Sequence, residues 1–585
     1  MERTLAEKIL SEHAGKEVRA GEIVVIKVDL VYTQDGTGPL AVRKIQEMGF
    51  EKVYHPQRTI FFLDHAAPSP RIELSNDHAF LRNFAQKTGI QVSDVGLGIS
   101  HQVAAESYVR PGDVVIGADS HTCTGGALGA FATGVGSTDA AVAIALGKIW
   151  LRVPETLRVI VEGNLPIGVY GKDIILHLIG KIGAGGATYK ALEFSGDTIE
   201  NLGIAGRMTI ANMSVEAGGK VGLFPSDEIT RGWLGRMGRP EEFKRLASDP
   251  DAIYEKTVRI SAKDLKPTIA CPHQVDNTMT IDEIGEVKVD QVFLGTSSNG
   301  RLEDLHLAAQ ILKGRRVHPK MRMIVTPGSR QVYMEALKDG TMELLSNQAQ
   351  WSLLLVAAVA WVFMKVFLEM RRSVWPPSPG ILREGWEAQN RSSIWGLLLS
   401  LEPLPLRARL PTRGNIYRRR FMKGKVWKFG DAISTDHIIP GRYFYLRSNL
   451  PELSKHILEY ERPGFPGMVS PGDFIVAGQN FGLGSSREHA ALVIKMNGIQ
   501  AVLAKSFARI FYRNCFNNGL PAIICDTDRI GEGDEIELFI NEGKIISHTR
   551  KETLSFLPIP PIMERILNDG GLVEHVKKYR DLKLV

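Results

Sequence analysis

Two short motifs in the first half of the sequence combine residue types that can move protons. Asp119-Ser120-His121-Thr122 follows the apolar run 114–117, and Asp64-His65 follows another apolar run, 61–63. An Asp beside a His can orient the imidazole and raise its basicity. Each motif alone is also compatible with a turn in which the Asp caps a helix, and a third candidate, His101, with a buried core histidine. For each of the three, the functional and the structural interpretation therefore both stay open.

A third motif, Gly484-Ser485-Ser486-Arg487-Glu488, lies in the last third of the chain. It follows an apolar run and a glycine-containing turn, and it is expected to open a helix at His489. Backbone N–H groups at a helix start, with Arg487 beside them, suit a carboxylate or an anionic oxygen. A serine in that field could act as a base. A bare helix N-cap is the competing interpretation.

The elements around these motifs predict an α/β fold with a mostly parallel sheet, because continuous apolar strand-like runs alternate with helical patterns. Thr138 to Leu151 is predicted as one helix with Ser137 as its N-cap. The other elements singled out are strands, at 24–28, 114–117, 292–295, 474–478, 501–504 and 522–524. At 585 residues the chain is too long for one core. We therefore expect an α/β region over residues 1–347 and a second, smaller α/β domain over 422–585.

The segment 348–421 fits neither part. It holds five of the eight Trp, and its ten Arg and one Lys against four Glu give it a net charge of +7. Since the whole chain carries +6, the rest is close to neutral and has no general basic face. Four cysteines without C-x-x-C spacing, and an N-terminus without an apolar h-region, favour a reducing cytoplasm.

Taken in order, these motifs resemble those of the aconitase family. Three further stretches of the first part also match the family, at 34–38, 212–216 and 295–301. In the second part Thr435-Asp436-His437 matches as well. Within that family the sequence is most similar to 3-isopropylmalate dehydratase and homoaconitase. Residues 1–347 resemble the large subunit and 422–585 the small, swivel-domain subunit. The resemblance implies an aconitase-like multi-domain α/β/α catalytic part plus the swivel domain, with the two halves packed together.

The family resemblance also implies a reaction. Such enzymes isomerise a hydroxy di- or tricarboxylic acid by dehydration and rehydration, with a [4Fe–4S] cluster acting as a Lewis acid. Ser485 would be the base, Ser486 and Arg487 would support its oxyanion, and His65, oriented by Asp64, would protonate the leaving hydroxyl. The resemblance assigns the remaining positions to two roles. Four residues would hold the iron-bound water and order the site: Asp119, His121, His101 and Glu216. Four others would face or support the substrate: Gln34, Asp436, His437 and Arg447. Arg447 could clamp a distal carboxylate, which would favour a homocitrate-like acid over the apolar branch of isopropylmalate. Isopropylmalate, homocitrate-like acids and aconitate therefore stay open as substrates.

The cluster ligands of the family are missing from this sequence. Ser297 stands where the first cysteine is expected, and a serine hydroxyl is a poor substitute for a thiolate. The other two cysteines are expected shortly after Asn347, where the chain has none before Cys515. The resemblance therefore implies a cluster that this chain does not bind, and an inactive polypeptide.

The resemblance breaks off at Asn347. The family sequence would continue here with a Gly- and Cys-containing stretch. When plausible codons for that stretch are translated one base out of frame, the resulting peptide is close to residues 348–362, which begin with Gln348-Ala349-Gln350-Trp351. We interpret 348–421 as a frameshifted or disordered segment, joined to the second half at Met422. Three other interpretations remain: a membrane-attached protein through the apolar run near 351–370, an RNA-binding relative, and a non-catalytic relative with both folds intact.

Overall fold

The computed structural model describes residues 2–348 and 422–583. The predictions of a frameshifted or disordered segment over 348–421 and of a membrane-attached apolar run at 351–370 fall, beyond residue 348, outside these described residues. Among the described residues, no helix has both the length and the apolar character needed to cross a bilayer.

Helices and strands alternate through both described parts. The helices are α1 Leu5–Ala14, α2 Gly38–Glu47, α3 Ile72–Thr88, α4 Ser100–Ser107, α5 Ser137–Leu146, α6 Gly171–Ile182, α7 Asp197–Glu200, α8 Ile204–Met213, α9 Glu228–Arg236, α10 Leu302–Leu312, α11 Arg330–Lys338, α12 Thr341–Gln348, α13 Thr435–Ile438, α14 Leu450–Leu453, α15 Phe465–Met468, α16 His489–Met496, α17 Arg509–Asn517, α18 Pro561–Asp569 and α19 Leu572–Tyr579. The strands of the first part are β1 Ile23–Lys27, β2 Leu30–Gln34, β3 Thr59–Phe62, β4 Gln91–Ser93, β5 Val114–Gly117, β6 Phe131–Gly134, β7 Lys148–Arg152, β8 Thr156–Glu162, β9 Ala191–Ser195, β10 Val221–Leu223, β11 Lys256–Ser261, β12 Thr268–Ala270, β13 Thr278–Thr280, β14 Gln291–Leu294 and β15 Arg322–Val325. Those of the second part are β16 Met422–Lys428, β17 Phe474–Ala477, β18 Ala501–Ala504, β19 Ala522–Ile524, β20 Glu535–Phe539, β21 Lys544–Ser547 and β22 Glu552–Ser555.

A five-stranded, fully parallel sheet forms the centre of the first part, in the order β4-β3-β2-β5-β6. Strands β2, β3, β5 and β6 are buried along their whole length. For β5 this agrees with the buried strand predicted from its continuous apolar sequence. Because neighbouring parallel strands end at one edge of the sheet, Asp64 after β3 and Asp119 after β5 are brought together there. The predicted mostly parallel α/β architecture is confirmed.

One predicted helix is wrong in its second half. The helix α5 ends at Leu146 because Gly147 takes a left-handed conformation with φ +66°, and residues 148–152 form β7, which pairs antiparallel with β1. Gly136 is the N-cap, and Ser137 instead donates its hydroxyl to the carbonyl of Thr37 at 3.0 Å.

The second part is built on a seven-stranded mixed sheet in the order β19-β18-β17-β16-β20-β21-β22. The strands β16 to β19 run parallel, and β20 to β22 continue antiparallel from the edge of β16. The predicted strands at 474–478, 501–504 and 522–524 are all present, the first ending one residue earlier.

The two parts share a hydrophobic core. Apolar side chains of α18 and α19, among them Ile566 and Val576, are fully buried in the same cluster as Leu5, Val42 and Ile144 of the first part. A buried carboxylate, Asp139 of α5, adds a bidentate ion pair with Arg513 of α17, at 2.6 and 2.7 Å. The first and second parts therefore pack together, as the family resemblance implies.

Candidate active site

The carboxylate of Asp119 is the centre of the candidate site. It accepts the N–H of His121 at 2.9 Å as the cap of the 3-10 helix Ser120–Leu128, and its two oxygens face two imidazoles. Oδ2 lies 3.3 Å from Nε2 of His65, and Oδ1 lies 3.1 Å from Nε2 of His101. Burial alone would raise the pKa of Asp119, but the charges and hydrogen bonds of the surrounding histidines outweigh it and hold the pKa well below its usual value.

His65 lies between two carboxylates. Its Nδ1 is 2.8 Å from Asp64, whose other oxygen accepts the backbone N–H of Ser100 at 2.7 Å. Burial lowers the pKa of His65, but Asp64 and Asp119 outweigh burial and raise it well above 6.5. The two carboxylates therefore favour the protonated imidazole, the state that a proton donor requires.

The imidazole of His101 is buried and is oriented by Tyr32 of β2, whose hydroxyl lies 3.1 Å from its Nδ1. Burial lowers the pKa of His101 even though Asp119 favours the charged form. A neutral ring that donates from Nε2 to Asp119 must accept at Nδ1, so the Tyr32 hydroxyl is the donor of this bond. Sequence reasoning missed Tyr32 because it lies inside an apolar strand, where an aromatic residue looks like core.

We expect Tyr32→Phe to lower the free energy of unfolding by about 1–3 kcal/mol, because it leaves the buried His101 nitrogen without a donor. Urea denaturation measures the change. The matched control is Tyr54→Phe, which removes the hydroxyl of an exposed tyrosine. Equal midpoints for the two variants would contradict the assigned bond.

His121 and Glu216 form the outer wall of the site. Nε2 of His121 lies 3.3 Å from Glu216, on the 3-10 helix Ser214–Ala217, and its ring centroid is 5.9 Å from that of His101. Burial opposes protonation of His121, but Asp119 and Glu216 raise its pKa to about 10. The amide nitrogen of Gln34 lies 3.5 Å from Asp119. The positions predicted in the first part thus converge around Asp119.

The loop 484–488 of the second part closes over the same sheet edge. The hydroxyl of Ser486 donates to the carbonyl of Ala118, the residue before Asp119, at 3.3 Å. The Ser485 N–H donates to the Thr435 hydroxyl at 3.2 Å, and Arg487 forms an ion pair with Asp436. His437 forms its ion pair within the second part, with Glu461 at 3.3 Å.

Arg447 is buried, with two partners from the first part. Its Nη2 donates to the carbonyl of Asp35 at 2.9 Å, and its Nε lies 3.4 Å from the carboxylate of Asp77. Asp35 in turn accepts from His78 at 2.8 Å. Sequence reasoning missed the supporting residues Asp35, Asp77 and His78. The first lies inside the family-like stretch 34–38, but nothing in a linear pattern indicates that it meets a residue more than 400 positions away.

Glu488, the last residue of the 484–488 motif, is fully buried and turns toward the first part. Its carboxylate accepts the backbone N–H of Thr138 at 2.7 Å, the hydroxyl of Thr138, and the side-chain amide of Asn518 at 2.7 Å. The motif therefore also joins the two parts, and its helix α16 begins at His489 as predicted.

The cysteines do not provide a cluster site. Ser297 lies in the loop between β14 and α10, where its carbonyl accepts from Asn212 and Arg301. Three of the four thiols are buried. Burial raises the pKa of Cys123 and Cys525 to about 12 and holds the pKa of Cys515 well above its usual value. Among the described residues, which include all four cysteines, the candidate metal-binding groups contain only His and Asp. These residues do not fit a [4Fe–4S] cluster, which needs thiolates.

The sequence matches two known domain families. The profile of the Aconitase family (aconitate hydratase) covers residues 7–286 and 282–352, and that of the Aconitase C-terminal domain covers 468–526. The large subunit of 3-isopropylmalate dehydratase from Elusimicrobium minutum is 58% identical over 344 residues, which are 59% of this chain and 82% of that relative. Large subunit 1 from Thermotoga maritima is 54% identical over 345 residues, with the same shares.

Two solved structures are also similar. A 3-isopropylmalate dehydratase from Methanocaldococcus jannaschii is 46% identical, covering 27% of this chain and 95% of that one, with a TM-score of 0.27. The holo form of Thermococcus kodakaraensis aconitase X is 14% identical, covering 62% and 90%, with a TM-score of 0.37.

Proposed function

The chain belongs to the aconitase family, and from that premise we propose that it is a hydro-lyase of the 3-isopropylmalate dehydratase type whose present sequence cannot complete the reaction. One observation carries this proposal. The acid–base residues assemble around Asp119, while Ser297 stands in place of a cluster ligand and three of the four thiols are buried.

The acid of the proposed reaction is His65. Asp64 fixes Nδ1 and directs Nε2 toward Asp119, so the proton is held at the atom that faces the site. In the dehydration direction, Nε2 would give this proton to the leaving hydroxyl. His101, His121 and Glu216 would hold water and substrate oxygens in place, with Gln34 beside them.

The base of the proposed reaction is Ser485. Its loop is fixed by the bond from Ser486 to Ala118, which places the serine beside the sheet edge that carries Asp119. Arg487, held by Asp436, supplies the positive charge that an alkoxide or a substrate carboxylate needs. His437, paired with Glu461 on the swivel side, would support this arrangement.

The contacts of Arg447 favour isopropylmalate over homocitrate-like acids as the substrate. A distal carboxylate would need the guanidinium of Arg447, but this group is buried, donates to the carbonyl of Asp35 and forms an ion pair with Asp77 at 3.4 Å. Drawing it away would take from the buried Asp77 its nearer cation and leave it with Arg43 at 3.8 Å and the hydroxyl of Ser448 at 2.6 Å, which is unfavourable. We therefore assign Arg447 to joining the two parts, and the homoaconitase and aconitate hydratase alternatives lose their main support.

We expect anaerobic reconstitution of the full chain with iron and sulfide to yield no [4Fe–4S]+ signal by electron paramagnetic resonance after reduction with dithionite, no dehydration of isopropylmalate and no hydration of homoaconitate. The physical reason is that three thiolates are needed and none is available at the site. The variant Ser297→Cys is the matched control. It supplies one thiolate of three and should behave like the parent. A bound cluster with turnover in the parent chain would refute the proposal.

The proposed partners and location rest on the same features. The ligand is a small hydroxy acid, with no nucleic acid or membrane involved. We place the chain in the cytoplasm, since its four cysteines are free thiols, which suits a reducing compartment.

A further inference from the structure

Three side chains at the centre of the site have donor atoms at the spacing of metal ligands. One donor atom each of His65, His101 and Asp119 lies within 4.8 Å of the other two. Nε2 of His65 is 3.3 Å from Oδ2 of Asp119, and Nε2 of His101 is 3.1 Å from Oδ1, so both oxygens of the carboxylate face the ion position. Ligand atoms about 2.1 Å from one shared ion stand roughly 3.0–3.4 Å apart, depending on the coordination geometry. We propose that His65, His101 and Asp119 bind a single divalent transition-metal ion.

The residues behind these ligands support the assignment. Metal-binding histidines are usually fixed by a hydrogen bond at the second ring nitrogen. Here Nδ1 of His65 is held by Asp64 at 2.8 Å, and Nδ1 of His101 by the hydroxyl of Tyr32 at 3.1 Å. Both rings are thereby oriented with Nε2 toward the same carboxylate, without any contribution from a ligand.

The donor set selects the class of metal. Two imidazoles and one carboxylate suit zinc, cobalt or ferrous iron, whereas Mg²⁺ and Ca²⁺ prefer oxygen ligands alone. Three protein ligands leave open positions for water or for the oxygens of a hydroxy acid. The site is enclosed, since His101 is 2% and Asp119 7% exposed, while His65 lies at the rim.

A neighbouring group of donors is a weaker candidate. Asp35, Asp64 and His65 also lie close together. However, the oxygens of Asp35 already accept from His78, from the N–H of Ala66, both at 2.8 Å, and from the N–H of His65 at 3.1 Å. A metal there would have to displace these bonds. At Asp119 it would replace the Nε2 proton of His65, which leaves a neutral ring, and it would require the proton of His101 to move from Nε2 to Nδ1, where it donates to the Tyr32 hydroxyl.

The proposed ion and the proposed acid use the same atom. A metal on Nε2 of His65 excludes the proton that would be given to a leaving hydroxyl, so the two states alternate. The proposed metal site depends on the positions of its three ligands and not on the proposed reaction, and its test measures metal binding and not turnover. Failure of the turnover experiment and failure of metal binding are therefore separate results.

Cobalt titration of the full chain tests the site. The protein is freed of metal with a chelator and titrated with Co²⁺, whose visible absorption reports nitrogen and oxygen ligation. We expect one equivalent to bind. His101→Ala and His65→Gln should weaken binding at least about a hundredfold because each removes a ligand, and Tyr32→Phe should weaken it about ten- to a hundredfold because it acts through His101.

Two controls make the outcome decisive. His306→Ala removes an exposed histidine that pairs with Asp339 in the α10–α11 region, and it should bind cobalt like the parent. Circular dichroism checks that the ligand variants are folded, and His65→Gln, at the rim, tests the site if His101→Ala does not fold. No stoichiometric binding by the parent chain would overturn the proposal, leaving a simple ion-paired cluster. Unchanged binding in a folded His65→Gln variant would overturn it as well.

Discussion

We expect Asp139→Ala to lower the opening free energy between the two parts of the chain by about 3–5 kcal/mol, because it leaves the Arg513 guanidinium buried without its carboxylate. Both side chains are almost fully buried, and Asn517 adds a third bond to Asp139 at 2.7 Å. Amide hydrogen exchange in α5 and α17 measures the opening, and exchange should accelerate by more than about a hundredfold.

The matched control for this change is Glu552→Ala. It breaks another Arg–carboxylate ion pair, in which two nitrogens of Arg529 donate to one oxygen of Glu552 at 3.2 and 3.0 Å and both side chains are nearly half exposed. Exposed pairs contribute about 0–1 kcal/mol. If exchange in α5 and α17 were no faster in Asp139→Ala than in Glu552→Ala, the buried pair would not stabilise the packing of the two parts.

The second large effect concerns acid stability and His489, the first residue of α16. Its side chain is 1% exposed, and its Nδ1 has no hydrogen-bond partner among the described residues. Burial, followed by the charges of Arg447, Arg487 and Arg43, lowers its pKa from 6.5 to about 3. The folded chain therefore keeps this ring neutral, while the unfolded chain protonates it below pH 6.5.

The sign of the pH dependence comes from this difference. The stability associated with neutral His489 is fully present above pH 6.5 and is lost as the pH falls toward 3, at about 1.4 kcal/mol per pH unit. We expect His489→Asn to remove this component. Between pH 6.5 and 4.5 the parent should then lose about 2–3 kcal/mol more than the variant, by urea denaturation at each pH.

The control for this prediction is His548→Asn, at an exposed histidine beside Glu537. This variant should retain the acid sensitivity of the parent. A stability curve for His489→Asn that is parallel to that of the parent from pH 6.5 to 4.5 would contradict the buried neutral imidazole.

The central sheet is predictable from the sequence because buried parallel strands have continuous apolar sequences. The strand predicted at 114–117 agrees to the residue, and Asp119 lies at its end as expected. The helix predicted over 138–151 fails at Gly147, although a glycine after a helical run is a recognisable stop signal. The apolar residues of β7 continue the helical pattern, and the pairing with β1 is not visible from a local window.

The motif residues are predictable individually, but their partners are not. Tyr32 and Glu488 are buried groups whose roles depend on a residue far along the chain: His101 for the first and Thr138 for the second. Composition and spacing describe which groups are near in sequence. They do not describe which strand ends and loops meet after folding, so the bonds across the two parts could only be seen in three dimensions.

The shared core has a consequence for the order of folding. Ile566 and Val576 complete an apolar cluster that begins with Leu5 and Val42, several hundred residues earlier. During synthesis the first part therefore emerges with an uncovered apolar surface, which stays exposed until α18 and α19 have left the ribosome. Such surfaces are bound by chaperones or aggregate. The time between synthesis of the first part and synthesis of α18 and α19 should therefore limit the expression yield of this chain. Supplying the second part as a separate, pre-folded chain should shorten the time for which the apolar surface is exposed.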